Sequence, residues 1–260
     1  MLLMNNFTVI DSDILATLLN SIDTTIIKEF QNIVIPNYYN LVITGSVGVG
    51  KSTISQLMLE SFKKIGINPV IYPEYINLEY EKVKFGDLML KARSDNIIST
   101  ETLQHFVLDM WELQLKNKEF NKHNSINILE RLPEDAMTCF VNEAYSNKII
   151  NKIAYDNLWS KYNIIIGKYR VPQSYICNLQ IVYNNNLIET VNEILKTVLN
   201  DFKNNIENRI IGLKIKSHQY LERIAKRGRI AEINTNTSIF EHYNEYYDNY
   251  YKEFVNYNKK

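Results

Sequence analysis

The chain has 260 residues and a mass of 30.6 kDa, and its 29 lysines and arginines balance 29 aspartates and glutamates. With 45% hydrophobic and 22% charged residues it has a globular composition, which excludes a disordered, collagenous or low-complexity chain. Zero net charge argues against broad capture of nucleic acid or an anionic membrane, and no run approaches the roughly 18 apolar residues of a membrane span.

Met1 to Ile10 lacks a basic start and a sustained apolar core, so no secretory signal is expected. Residues 1–40 read as a helical extension: Asp11, Ser12 and Asp13 offer N-caps, and Ile14, Leu18, Ile22 and Ile26 repeat every four positions. The remainder, 41–260, reads as one domain. Asn40-Leu41-Val42-Ile43-Thr44 predicts a strand, followed by a glycine loop and a helix from Ser52 onward. Pro69 to Tyr72 predicts a second strand ending at Pro73-Glu74, and Thr100 to Leu115 has helical periodicity. Ile126 to Leu129 predicts a third strand, ending at Glu130-Arg131. Residues 148–208 are Asn-rich with one amphipathic run and predict a helical insertion. Arg209 to Ile215 predicts a fourth strand, with a basic helix from about Ser217 to Arg229. Strands alternating with helices imply an α/β fold with a mostly parallel sheet. Cys139 and Cys177 are too few for a disulfide framework or a four-cysteine metal site, and they predict a reducing, cytoplasmic setting.

The chemistry concentrates at three places. Gly45, Ser46, Val47, Gly48, Val49, Gly50, Lys51 and Ser52 match G-x-x-x-x-G-K-[ST] in full, between a strand and a helix. Glycines admit phosphate oxygens close to the backbone, and N–H groups at a helix start favour anions. Lys51 suits the β- and γ-phosphates, the Ser52 hydroxyl suits Mg²⁺, and Thr53 continues the cradle into the helix. The loop alone says nucleoside triphosphate; it does not separate an ATPase, a GTPase and a kinase. Glu74, Glu130 and Arg131 all end strands, where an open parallel sheet binds its ligands, so they are expected to converge near the loop. There a carboxylate can take a proton from a hydroxyl, and an arginine can fix it. Solvated or purely structural charges are the plainer alternative. Arg223, Lys226, Arg227 and Arg229 crowd four cations into seven residues, as a lid over a triphosphate would, or as a solvated basic face.

Taken in order, these motifs resemble the deoxynucleoside kinases, and most closely the herpesvirus type of thymidine kinase. The match rests on Gly45 to Ser52, Pro73-Glu74, Glu130-Arg131-Leu132-Pro133 with Ala136 and Cys139 beyond it, and Arg223 to Arg229. The acidic-arginine pair here is Glu-Arg, as in the cellular relatives, where the herpesvirus form has Asp-Arg. The resemblance implies a P-loop kinase fold with an arginine-rich lid. It implies ATP and Mg²⁺ as cofactors, with Ser52 and Glu130 on the metal. Glu74 resembles the family's general base for the nucleoside 5′-hydroxyl, steadied by Arg131. Gln104 is similar to the glutamine that reads the base, since a carboxamide pairs with N3–H and O4 of thymine. Phe140 lies where the family places an aromatic near the base. Arg223, Arg227 and Arg229 fall on the lid arginines, and Glu232 on an acidic residue that contacts the sugar. The implied partner is a small nucleoside, without nucleic acid or membrane, in a viral or cellular setting; a homodimer stays open. Three alternatives remain, of which two are a thymidylate (nucleoside monophosphate) kinase and a non-catalytic kinase-like binding or structural paralogue. A nucleic-acid-stimulated ATPase is the third, against which the neutral charge speaks.

Overall fold

The computed structural model describes residues 10–74, 79–80, 83–84, 86, 88, 99–116, 125–169, 171, 178–183, 186–215, 219–227 and 237–257. Helices α1 (Ser12–Asn20) and α2 (Thr24–Phe30) each start on an aspartate, Asp11 accepting from Asp13 N–H and Asp23 from Thr25 N–H at 2.9 Å. Strand β1 (Tyr38–Thr44) then feeds helix α3 (Lys51–Ile65), followed by β2 (Val70–Tyr72) and the short antiparallel pair β3 (Glu79–Tyr80) and β4 (Val83–Lys84). Helix α4 (Thr100–Leu115), capped by Ser99, precedes β5 (Ser125–Glu130). A helical run follows, made of α5 (Pro133–Asp135), a π-helical turn at Ala136–Val141 and α6 (Asn142–Ser146). The chain continues through α7 (Lys152–Lys168), β6 (Asn178–Tyr183), α8 (Leu187–Lys203), β7 (Asn208–Ile215), α9 (Gln219–Arg227) and α10 (Thr237–Tyr257).

Five strands form a parallel sheet in the order β2-β5-β1-β7-β6. β1 lies at its centre, with Ile43 opposite Glu130 on one side and Ile211 on the other. Its residues alternate between two cores, because successive side chains leave a strand on opposite faces. Tyr39, Leu41 and Ile43 pack with α1, α2, α3 and α8, whereas Val42 packs with α4, α7 and the π-helical turn. Each fully buried Leu or Ile contributes about 1.5–3 kcal/mol. Both faces are covered, which is why the strands read as short apolar runs rather than alternating ones.

The structure adds detail at three places. Ile22, Ile26 and Phe30 sit in the main core, with the Phe30 ring edge-on to Phe62 and Phe202, so α1 and α2 are packed onto α3 and α8. Between 148 and 208, where an insertion of helices is expected, strand β6 lies between α7 and α8 and forms a sheet edge beside β7. Its Asn-rich flanks hide it in the sequence. Helix α10, which no sequence pattern singled out, lies against the π-helical turn through Tyr243, Tyr246 and Tyr247.

The amino half of the sheet buries polar groups in pairs. Asn127 Nδ2 donates to Asn40 Oδ1 and Asn40 Nδ2 to Asn208 Oδ1, both at 2.8 Å, so three registered amides run across β5, β1 and β7. Beside them the fully buried Asp201 accepts from Tyr39 Oη at 2.7 Å and from Arg209 Nε at 2.8 Å, and its second oxygen pairs with Arg209 Nη2.

Candidate active site

The glycine loop joins the carboxyl end of β1 to α3. Gly45 has φ 140°, and a Cβ there would run into the Leu213 carbonyl of β7, so only glycine lets the chain leave the strand this way. Gly50 has φ 97° and stands at the N-cap of α3 without a side-chain cap. The first N–H groups of this 15-residue helix therefore lack intrahelical partners and point out of its end, the arrangement that binds anions. Lys51 is buried, and its Nζ donates to the carbonyls of Gly45 at 3.2 Å and Ser46 at 3.0 Å. Thr53 lies half-buried in the first turn of α3.

Glu130 ends β5 beside this turn. Its Oε2 accepts the Ser52 hydroxyl at 2.9 Å, while Oε1 is buried without a hydrogen-bond partner. Burial pushes its pKa up to about 7, with the Glu74 charge adding to the shift and the Ser52 hydrogen bond and Lys51 charge opposing it. A buried carboxylate oxygen with an open lone pair, next to a serine hydroxyl at a phosphate loop, fits a hard divalent cation. Among the described residues there is no group of three or more His, Cys, Asp or Glu side chains that could hold a metal ion.

Arg131 follows with φ 68°, a left-handed conformation that costs a bulky residue about 1–3 kcal/mol. Its N–H bonds the Ile43 carbonyl at 3.0 Å, which holds the turn against β1. This backbone twist aims the buried side chain back at Glu74, whose Oε1 lies 3.5 Å from Arg131 Nε. Glu74 is placed in turn by Pro73, whose carbonyl accepts from the buried Gln114 Nε2 at 3.0 Å. Phe140, on the π-helical turn, presents its ring to the Arg131 guanidinium at 5.4 Å. Such a widened turn commonly marks a functional segment.

The basic helix meets the loop. On α9, Tyr220 and Ile224 are buried, and Arg223 Nη1 donates to the Val49 carbonyl at 3.4 Å and lies near Gly50. Arg227 is the last residue of this helix, whereas Arg229 and Glu232 lie outside the described residues. Gln104 is buried on α4, its Oε1 without a hydrogen-bond partner. The structure thus brings together the loop, Ser52, Glu130, Arg131, Glu74, Phe140 and Arg223.

Sequence reasoning passed over three contributors, Asp135, Tyr247 and Gln114. Asp135 is buried and accepts from Leu132 N–H at 2.6 Å and from the Thr44 hydroxyl at 2.8 Å. Burial raises its pKa, against the Arg131 charge and the hydrogen bonds from Leu132 and Thr44. Tyr247, on α10, sets its ring 6.0 Å from the Arg131 guanidinium. Pro133-Glu134-Asp135 does read as a helix start, but nothing local shows that Asp135 reaches across to β1. Gln114 and Tyr247 carry no sequence signal, since their partners lie far along the chain. Cys139 is a free thiol, which burial pushes well above its usual pKa, and Cys177 lies outside the described residues. Among the described residues no helix is long and apolar enough to cross a membrane.

No protein-family model matches the chain, and no curated protein matches it. Solved structures do. A deoxyadenosine kinase from M. mycoides with bound dCTP is 22% identical, with 83% of this chain and 84% of that chain covered and a TM-score of 0.51. The same enzyme with bound dATP is 21% identical, with 84% and 86% covered and a TM-score of 0.50. With its glycine loop after the central strand, its parallel five-stranded sheet and its flanking helices, the chain has the fold of P-loop deoxynucleoside kinase structures.

Proposed function

We propose that the protein is an ATP- and Mg²⁺-dependent deoxynucleoside kinase that phosphorylates the 5′-hydroxyl, with thymidine as its preferred substrate. The observation that carries this reading is the joining of two pairs at adjoining strand ends. Glu130 meets Ser52 of the phosphate loop at 2.9 Å, and Arg131, the next residue, meets Glu74 at 3.5 Å. A base and a phosphate cradle are then one residue apart along β5. The fold shared with solved deoxynucleoside kinases supports the same reading, as do the four motifs in order.

In this mechanism Glu74 takes the proton of the 5′-hydroxyl, and the freed oxygen attacks the γ-phosphorus in line while its bond to the bridging oxygen breaks. Arg131 keeps Glu74 charged and oriented. Lys51 exchanges its loop carbonyls for phosphate oxygens, and Arg223, Arg227 and Arg229 neutralise charge on the transferred group. Ser52 and Glu130 would hold Mg²⁺, which supplies further charge neutralisation on the phosphates. Gln104 reads the base edge, Phe140 packs near the base and Glu232 holds the sugar. Most of the acceleration comes from positioning and electrostatics. Residues 41–260 form the kinase domain and residues 1–40 a helical extension. The protein works in a cytoplasmic setting, viral or cellular, and a homodimer is compatible with this scheme.

The solved neighbours were seen with dCTP and dATP, and a carboxamide also pairs with adenine, so deoxyadenosine is the second reading of the base. Transfer from radiolabelled ATP to four deoxynucleosides, with thymidylate as a fifth acceptor, separates the cases. The reading predicts a labelled deoxynucleoside monophosphate, thymidine giving the highest kcat/KM. Transfer to thymidylate alone would make it a monophosphate kinase. A folded, ATP-binding sample that labels none of the five would be a binding paralogue.

A further inference from the structure

Arg131 has two neighbours that neither the loop nor the base accounts for. Its left-handed backbone needs an anchor, and Asp135 supplies one: the carboxylate ties Leu132 N–H, at 2.6 Å, to the Thr44 hydroxyl, at 2.8 Å. That links the turn directly after Arg131 to the end of β1, where the glycine loop begins. Its guanidinium needs a wall, and Tyr247 is part of it, with the ring centre 6.0 Å away beside Phe140 at 5.4 Å. Tyr247 and Asp135 are both almost fully buried. Helix α10 is fixed in place by the Lys214–Asp248 ion pair to β7, one residue beyond Tyr247, and by the Tyr243 ring packed edge-on against Phe140 at 4.8 Å.

We propose that Tyr247 and Asp135 are a positioning pair through which the C-terminal helix holds the Arg131 guanidinium against Glu74. This rests on the reading of Arg131 as the residue that steadies the base. A cation against aromatic faces loses freedom without losing charge, so Arg131 is left one principal direction, toward the carboxylate. The helix becomes part of the acceptor site without touching substrate. Tyr247 acts on the guanidinium, whereas the phosphate loop is held by the contacts of Lys51, Ser52 and Arg223.

Two measurements on the full chain test this. The first is the Nε–H resonance of Arg131 in ¹⁵N-arginine-labelled protein, assigned by its loss in Arg131→Lys. Tyr247→Leu removes the ring and is expected to move this resonance strongly. Tyr247→Phe keeps the ring and moves it less, and Asp135→Asn moves it while the other arginine signals stay put. The second is kinetic: Tyr247→Leu should lower kcat about tenfold to a hundredfold with KM for ATP within about twofold, and Tyr247→Phe should restore most of the loss. In an Arg131→Lys background, Tyr247→Leu should cost little more, because the group it positions is gone. An Arg131 resonance unmoved by Tyr247→Leu in a folded sample overturns the proposal. So does an equal loss of kcat in the Arg131→Lys background, which marks a merely structural role. If the wild type phosphorylates no deoxynucleoside, the kinase reading fails by itself and the resonance alone decides this one.

Discussion

The two ends of the parallel sheet bury charge in opposite ways. At the amino end, the amides of Asn40, Asn127 and Asn208 hydrogen-bond across three strands, leaving Asn127 Oδ1 at the ladder's end without a partner. Asp201 there is matched by Arg209 and Tyr39. At the carboxyl end, Glu130 keeps a buried oxygen without a partner, two carboxylates stand close enough to raise a pKa, and Arg131 holds a left-handed backbone. A domain gains stability from the first arrangement and loses it in the second. The contrast teaches where to look for chemistry: strain and unmatched charge persist only where something else is to be bound.

If that contrast is right, the two ends respond differently to substitution. Glu74→Gln should show the largest effect, a fall in kcat of about 10²–10⁴-fold, with ATP binding by calorimetry and the thermal midpoint nearly unchanged. Wild-type turnover in this variant would remove Glu74 as the base. Asp201→Ala should do the reverse. It strands Arg209 and should cost about 3–5 kcal/mol in urea unfolding, with kcat per folded molecule within about twofold of wild type.

Glu130→Gln crosses the two kinds of outcome. The pKa of about 7 lies above the ordinary 4.5, so the folded protein holds a proton that the unfolded chain releases in between. Stability contributed by the protonated carboxyl is therefore lost as pH rises through that window. Without metal or nucleotide, Glu130→Gln should be more stable than wild type by about 1–3 kcal/mol at pH 8, with the gap closing near pH 4.5, while activity falls. Urea titrations at both pH values check the sign; a variant less stable than wild type at pH 8 would show that the charge is already compensated. Asn208→Ala should be mildest, about 1 kcal/mol, because truncating this half-buried side chain strands one neutral donor, the Asn40 amide, and no charge. A cost several times larger would mean the ladder acts as one cooperative unit.

The same contrast explains what could be read from the chain. The phosphate loop was legible whole, because glycine geometry and a helix start are local properties of eight consecutive residues. Glu74, Glu130 and Arg131 were legible as strand ends, since a parallel sheet gathers such positions on one side. Strand β6 was not, for an edge strand needs apolar residues over only a short length and here lies between asparagines. Asp135 and Tyr247 were not legible either. Their meaning depends on Thr44 and Arg131, which are distant in sequence and adjacent only once β1, β5 and α10 have packed.

A crystal structure with ADP and a deoxynucleoside tests the central claim most directly. The account predicts a Glu74 carboxylate oxygen within about 2.6–3.2 Å of the 5′-hydroxyl, with Arg131 still against Glu74. A nucleoside bound elsewhere, with Glu74 turned to solvent and the loop holding ADP alone, would contradict it.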